Sequence, residues 1–163
     1  MKYDISHQNF LADLDLEPIM VKAMDSDEGY SWSLEKSHKI AIEYRRFLTL
    51  CVLYPDEAIV PSAPVDDFWH MHILDTEKYA NDCAKYLGFF LHHFPYFGMR
   101  SADDARNLAR AWGRTLELYE LAFGESPVAE YWPHSKRCPN CGRHAGNDMM
   151  SAVRPRLADI LVR

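Results

Sequence analysis

The stretch Val65-Asp66-Asp67-Phe68-Trp69-His70-Met71-His72-Ile73-Leu74-Asp75-Thr76 decides how the chain folds. Read as a strand, its alternate residues would share a face, and His70-x-His72 would present two ligands together, as several metal-binding barrels do. The neighbours argue against that. Val65, Phe68, Trp69, His72, Ile73 and Leu74 form a broad apolar set without strict alternation, and no following segment offers a strand partner. A helix is the better reading, and either Asp75 or Thr76 can cap a new helix after it. Successive helical residues turn by roughly 100°, so Asp66 or Asp67 shares a face with His70, and His72 with Asp75. His70 and His72 then point to different sides unless the helix ends between them and Asp75.

Outward from this stretch the pattern stays helical. Before it, Ser33 can cap a helix from Leu34 to about Tyr54, with a stripe of Ile40, Tyr44, Phe47, Leu48, Cys51 and Val52 and a stop at Pro55. Earlier still, the apolar residues between Gln8 and Met24 are interrupted by Pro18, which predicts two short helices. Residues 55–64 form a proline-rich connection. Beyond the stretch the pattern continues to Leu87 and ends at Gly88, and Ser101 with Asp104 makes a capping box for a helix that closes at Gly124. A last short helix is predicted near Leu157 to Val162. The expected fold is all-α: a single helical domain of about five to seven helices over residues 1–132, then a tail, residues 133–163, carrying a Cys/His knuckle.

Size and charge narrow the function. With 163 residues at 48% hydrophobic content, the chain can bury a core without disulfides. Its net charge of -6, with no dense basic cluster, argues against nucleic acid and anionic membranes as partners. It shows neither a signal peptide nor the roughly 18 uninterrupted apolar residues of a membrane span, so a cytoplasmic location is expected. Cys51 and Cys83 sit alone in apolar helical patterns and read as core residues.

Two clusters carry candidate chemistry. The first joins the opening stretch to Leu91-His92-His93-Phe94-Pro95-Tyr96-Phe97-Gly98. His70, His72, His92 and His93 with Asp66, Asp67 and Asp75 form a donor set that suits iron, zinc, manganese or copper. Two or three His plus one Asp would leave coordination positions open for substrate or dioxygen. The plainer alternative is that His70 and His93 are buried histidines, hydrogen-bonded to Asp66, Asp67 or Tyr96, that fix an aromatic core. The second cluster is Cys138-Pro139-Asn140-Cys141-Gly142, whose two thiolates can wrap a structural zinc, with His134 and His144 flanking it as local ligands. Gly142 stands where covalent haem attachment would need His, and a redox pair would want a βαβ context that is lacking.

Three runs together resemble the glycine-rich domain-containing protein-like family: Glu43-Tyr44-Arg45-Arg46-Phe47-Leu48, the WHxHILDT motif of residues 69–76, and HHFPYFG of residues 92–98. The likeness covers about Leu34 to Gly98 and implies no particular activity. The chain departs from the namesake pattern, with only seven glycines and a CxxC tail. Two functions are therefore expected in competition. One is a metal-binding helical protein, with hydrolytic or oxidative chemistry at the His/Asp cluster and zinc at the knuckle. The other is a non-catalytic interaction module that docks a protein partner.

Overall fold

Ser33 caps the helix Leu34–Leu53, its hydroxyl accepting from the Lys36 backbone N–H at 3.1 Å. A computed structural model describes residues 11–133 and 153–161, and among them the regular structure is helical throughout, with no strand. The elements are α1 (Glu17–Met24), α2 (Leu34–Leu53), α3 (Ala63–Leu74), α4 (Thr76–Asp82), a π-helical turn (Cys83–Leu87), α5 (Ala102–Phe123) and α6 (Leu157–Leu161). The predicted all-α class is what the chain adopts. The knuckle residues Cys138, Cys141, His134 and His144 lie outside the described residues.

Pro18 does not divide two helices. It stands in the first turn of α1, where backbone N–H groups have no intrahelical acceptor to lose, and residues 11–13 before it form a turn instead. Arg45 on α2 ties that turn down, donating to the carbonyls of Leu11 at 3.2 Å and Leu14 at 2.9 Å.

Helices α1, α2 and α3 pack against one another, and α5 packs on the far side of α2. The core between them is strongly aromatic: Tyr44, Phe47, Phe68, Trp69, Phe94, Tyr119 and Trp132 are all essentially inaccessible to solvent. Cys51 and Cys83 are both buried there. Glu43, buried on α2, accepts from Tyr119 at 2.9 Å and from the Trp132 indole at 2.7 Å, so one carboxylate pins both α5 and the segment after it.

The capping box at α5 is half built as expected. Ser101 accepts from the Asp104 N–H at 3.0 Å, but the Asp104 carboxylate turns to Gly98 N–H at 2.8 Å and to Arg100. Burial alone would raise the Asp104 pKa; Arg100 and the two backbone N–H groups outweigh it and hold the group below its ordinary value. The stability this contributes is present above the unfolded carboxylate's pKa of about 3.9 and is lost as pH falls through the folded value. Asp104→Asn is therefore expected to be about 1–3 kcal/mol less stable than wild type at pH 7. That gap should shrink at pH 3, as read from urea unfolding at the two pH values.

Candidate metal centre

Helix α3 places Asp66 and His70 one turn apart on one face, and the His70 Nε2 lies 3.2 Å from Asp66 Oδ2. The third member arrives from elsewhere in the chain. Gly88, at φ +80°, ends the π-helical turn in the left-handed region and sends residues 89–93 back along α3. Leu91 and Phe94 sink into the core, and the exposed His92 packs on Phe90. His93 is left facing α3, its ring on Trp69 with centroids 4.5 Å apart.

The segment is held from behind. Trp69 Nε1 donates to the Tyr79 hydroxyl at 2.9 Å, and that hydroxyl in turn donates to the Leu91 carbonyl. Beyond His93, the loop is closed by the Asp104 contacts to Gly98 and Arg100, and Arg100 also reaches the Val153 carbonyl at 3.3 Å.

At the centre, His93 Nε2 stands 2.9 Å from Asp66 Oδ1 and 3.0 Å from His70 Nε2. Two imidazole nitrogens and one carboxylate thus converge on one point. No placement of protons makes all three contacts ordinary hydrogen bonds. If both nitrogens carry protons aimed at Asp66, the contact between them has no acceptor; if one is bare, it can take only one proton while its other neighbour goes unserved. A cation among them would be faced by both lone pairs and by a carboxylate oxygen, and Asp66, His70 and His93 are the residues that could hold it.

Access is one-sided. The Asp66 side chain is 4% exposed and that of His93 11%, whereas that of His70 is 43% exposed. Asp67, half-buried on the same helix, has its pKa raised by burial and by Asp66, with His70 and Lys36 opposing. Tyr30 lies on the same acidic side, its phenol pushed up to about 12 by burial and then by Asp67 and Asp66.

The remaining candidates lie elsewhere. His72 is buried on the opposite side of α3, with Nδ1 on the Tyr44 hydroxyl at 2.9 Å and Nε2 on Asp82 at 2.9 Å. Both nitrogens are engaged, so His72 joins α2 to α4 rather than the converging triad. Burial holds its pKa below the ordinary value, against the pull of Asp82. Asp75 is exposed and caps α4, accepting from Lys78 N–H at 3.3 Å. The expected His72–Asp75 pairing fails because α3 ends at Leu74, and Asp82 supplies the carboxylate instead. That partner is ten residues away across a helix junction, and no helical spacing announces it.

A family model described as UCP032817-like matches residues 6–119, a span that contains Asp66, His70 and His93. No curated protein and no solved structure matches the chain.

Proposed function

The chain belongs to the UCP032817-like family, and from that premise we propose that its matched region holds one divalent transition-metal ion on Asp66, His70 and His93. The observation that carries this reading is the contact of 3.0 Å between two Nε2 atoms that both also face one buried carboxylate. Two imidazoles and one carboxylate suit iron, zinc, manganese or copper, and three protein ligands leave at least one coordination position open. Substrate would reach the site from the exposed side of His70. An ion held this way lowers the pKa of a bound water for hydrolysis or offers a site to dioxygen, which are the two reaction classes proposed. Asp67 lies close enough to His70 for the imidazole to oppose the rise that burial gives its pKa, and it is the natural proton acceptor beside the open side.

Two further readings belong with this one. The WHxHILDT and HHFPYFG motifs, which carry the likeness to the glycine-rich domain-containing protein-like family, contain two of the proposed ligands, His70 and His93, and Asp66 lies three residues before the first. Cys138 and Cys141, with His134 or His144, would hold a separate structural zinc. Among the described residues, no helix is long and apolar enough to cross a membrane.

The test uses Cys138→Ser protein without a histidine tag, so that the knuckle loses one of its two thiolates, and the change His70→Ala then reports the triad alone. After incubation with Co²⁺ or Zn²⁺ and desalting, elemental analysis is expected to find about one equivalent per chain, and none after the further change His70→Ala. If the parent protein retains no metal, the triad only braces an aromatic core. The alternative of a non-catalytic module that docks a protein partner then takes precedence.

A further inference from the structure

Trp69 and Tyr79 are ten residues apart, and in one continuous helix they would stand roughly 15 Å from each other along the axis. The helix is not continuous. Asp75, at φ -84° and ψ 74°, leaves helical geometry and starts α4, and Tyr79 closes the first turn of α4 by donating its N–H to the Asp75 carbonyl at 2.8 Å. Across that break the Trp69 indole N–H meets the Tyr79 hydroxyl at 2.9 Å. The phenol ring is buried, with His72 edge-on at 4.9 Å and Phe90 edge-on at 5.3 Å between centroids, so packing holds the ring and its oxygen with it.

That one oxygen serves two neighbours of His93. It accepts from Trp69, on whose ring His93 lies at 4.5 Å between centroids, and it donates to the carbonyl of Leu91, two residues before His93. Burial raises the Tyr79 pKa, so the phenol keeps the proton that the second bond needs. His93 itself belongs to no helix, and its approach to Asp66 and His70 is set by the segment that follows Gly88. A ligand on such a segment presents its nitrogen at one point only if its neighbours are locked by packing and hydrogen bonds. We infer that Tyr79 is a positioning residue for the metal centre, its hydroxyl directing His93 Nε2 toward Asp66 and His70 by fixing both the indole against that ring and the backbone before it. The inference rests on the metal reading above. It also gives the helix break inside the WHxHILDT run a purpose, since the break separates the helix that carries Asp66 and His70 from the one that carries the residue holding His93.

The experiment compares Tyr79→Phe, Tyr119→Phe, His93→Ala and the double change Tyr79→Phe with His93→Ala, each in the Cys138→Ser background. Co²⁺ affinity and the cobalt visible spectrum are measured under conditions where each variant is folded, and urea unfolding is measured without metal. Tyr79→Phe keeps the ring and deletes the oxygen, and it is expected to weaken Co²⁺ binding by roughly 5- to 30-fold, the worth of one or two hydrogen bonds, and to alter the cobalt spectrum. Tyr119→Phe is the matched control: it deletes a buried hydroxyl bonded to Glu43 on α2, and should lose stability while Co²⁺ affinity and spectrum stay as in the parent. In the His93→Ala background, Tyr79→Phe should weaken residual binding no further, because the ligand it acts through is gone. Unchanged affinity and spectrum in Tyr79→Phe overturn the inference and leave the metal site standing, as does an equal weakening in Tyr119→Phe or a full further weakening in the double variant. If Tyr79→Phe fails to fold, Trp69→Phe breaks the same link from the indole end, and unchanged Co²⁺ binding there overturns the inference in its place. Absence of Co²⁺ binding in the parent protein removes the metal reading itself, and this inference with it.

Discussion

Asp66→Ala is expected to weaken transition-metal binding by at least about 1000-fold, equivalent to about 4 kcal/mol. It is the most deeply buried of the three converging groups and the only carboxylate among them. Removing it takes away the carboxylate that would offset the ion and leaves two imidazoles, one of them nearly half exposed. Asp66→Asn keeps the shape and one oxygen but not the charge, and should fall between wild type and Asp66→Ala. Titration calorimetry with Zn²⁺ in the Cys138→Ser background measures the difference. His72→Ala is the control on the other face of α3. Its imidazole is committed to Tyr44 and Asp82, so the variant should lose stability while keeping one equivalent of zinc. Zinc bound at full strength by Asp66→Ala, or lost only in His72→Ala, would place the ion elsewhere and end the present reading.

The part of this site that helical periodicity can express was legible in the sequence. Asp66 and His70 share a face because four residues make about one turn, and the separation of His70 from His72 follows from the same geometry. The choice between His92 and His93 was not legible, because it depends on a non-helical segment. There Leu91 and Phe94 must both be inside, and Gly88 sets the direction of approach. The sequence marks Gly88 as a stop but does not show that the last turn before it widens to π-helical spacing. The caps at Ser33 and Ser101 were readable from local chemistry. Asp104 was read as the second half of a capping box, and its carboxylate went to the preceding loop because Arg100 and two loop N–H groups offered more. Pro18 misled for a similar reason: a proline breaks a helix interior and suits a helix start, and only the packing of residues 11–16 under Arg45 shows which applies.

Trp69→Ala should carry the largest stability loss near the centre and should also reach the metal. The indole is fully buried, between Phe47 at 5.0 Å and His93 at 4.5 Å between ring centroids, and its N–H bonds the Tyr79 hydroxyl that holds Leu91. Truncating a buried tryptophan to alanine costs about 3–5 kcal/mol through lost burial and the cavity left behind. That is a large share of the roughly 5–15 kcal/mol that holds a domain together. Trp69→Phe retains most of the apolar contact and loses one hydrogen bond, so its cost should be nearer 1 kcal/mol. Urea unfolding separates the two. Their zinc affinities carry the functional content, because His93 has no helix of its own and takes its direction from the indole behind it and the Leu91 backbone beside it. Under conditions where both variants remain folded, Trp69→Ala should bind zinc more weakly than Trp69→Phe. Equal affinity in the two would mean that His70 and Asp66 alone suffice to direct His93, and that the aromatic wall serves the core rather than the site.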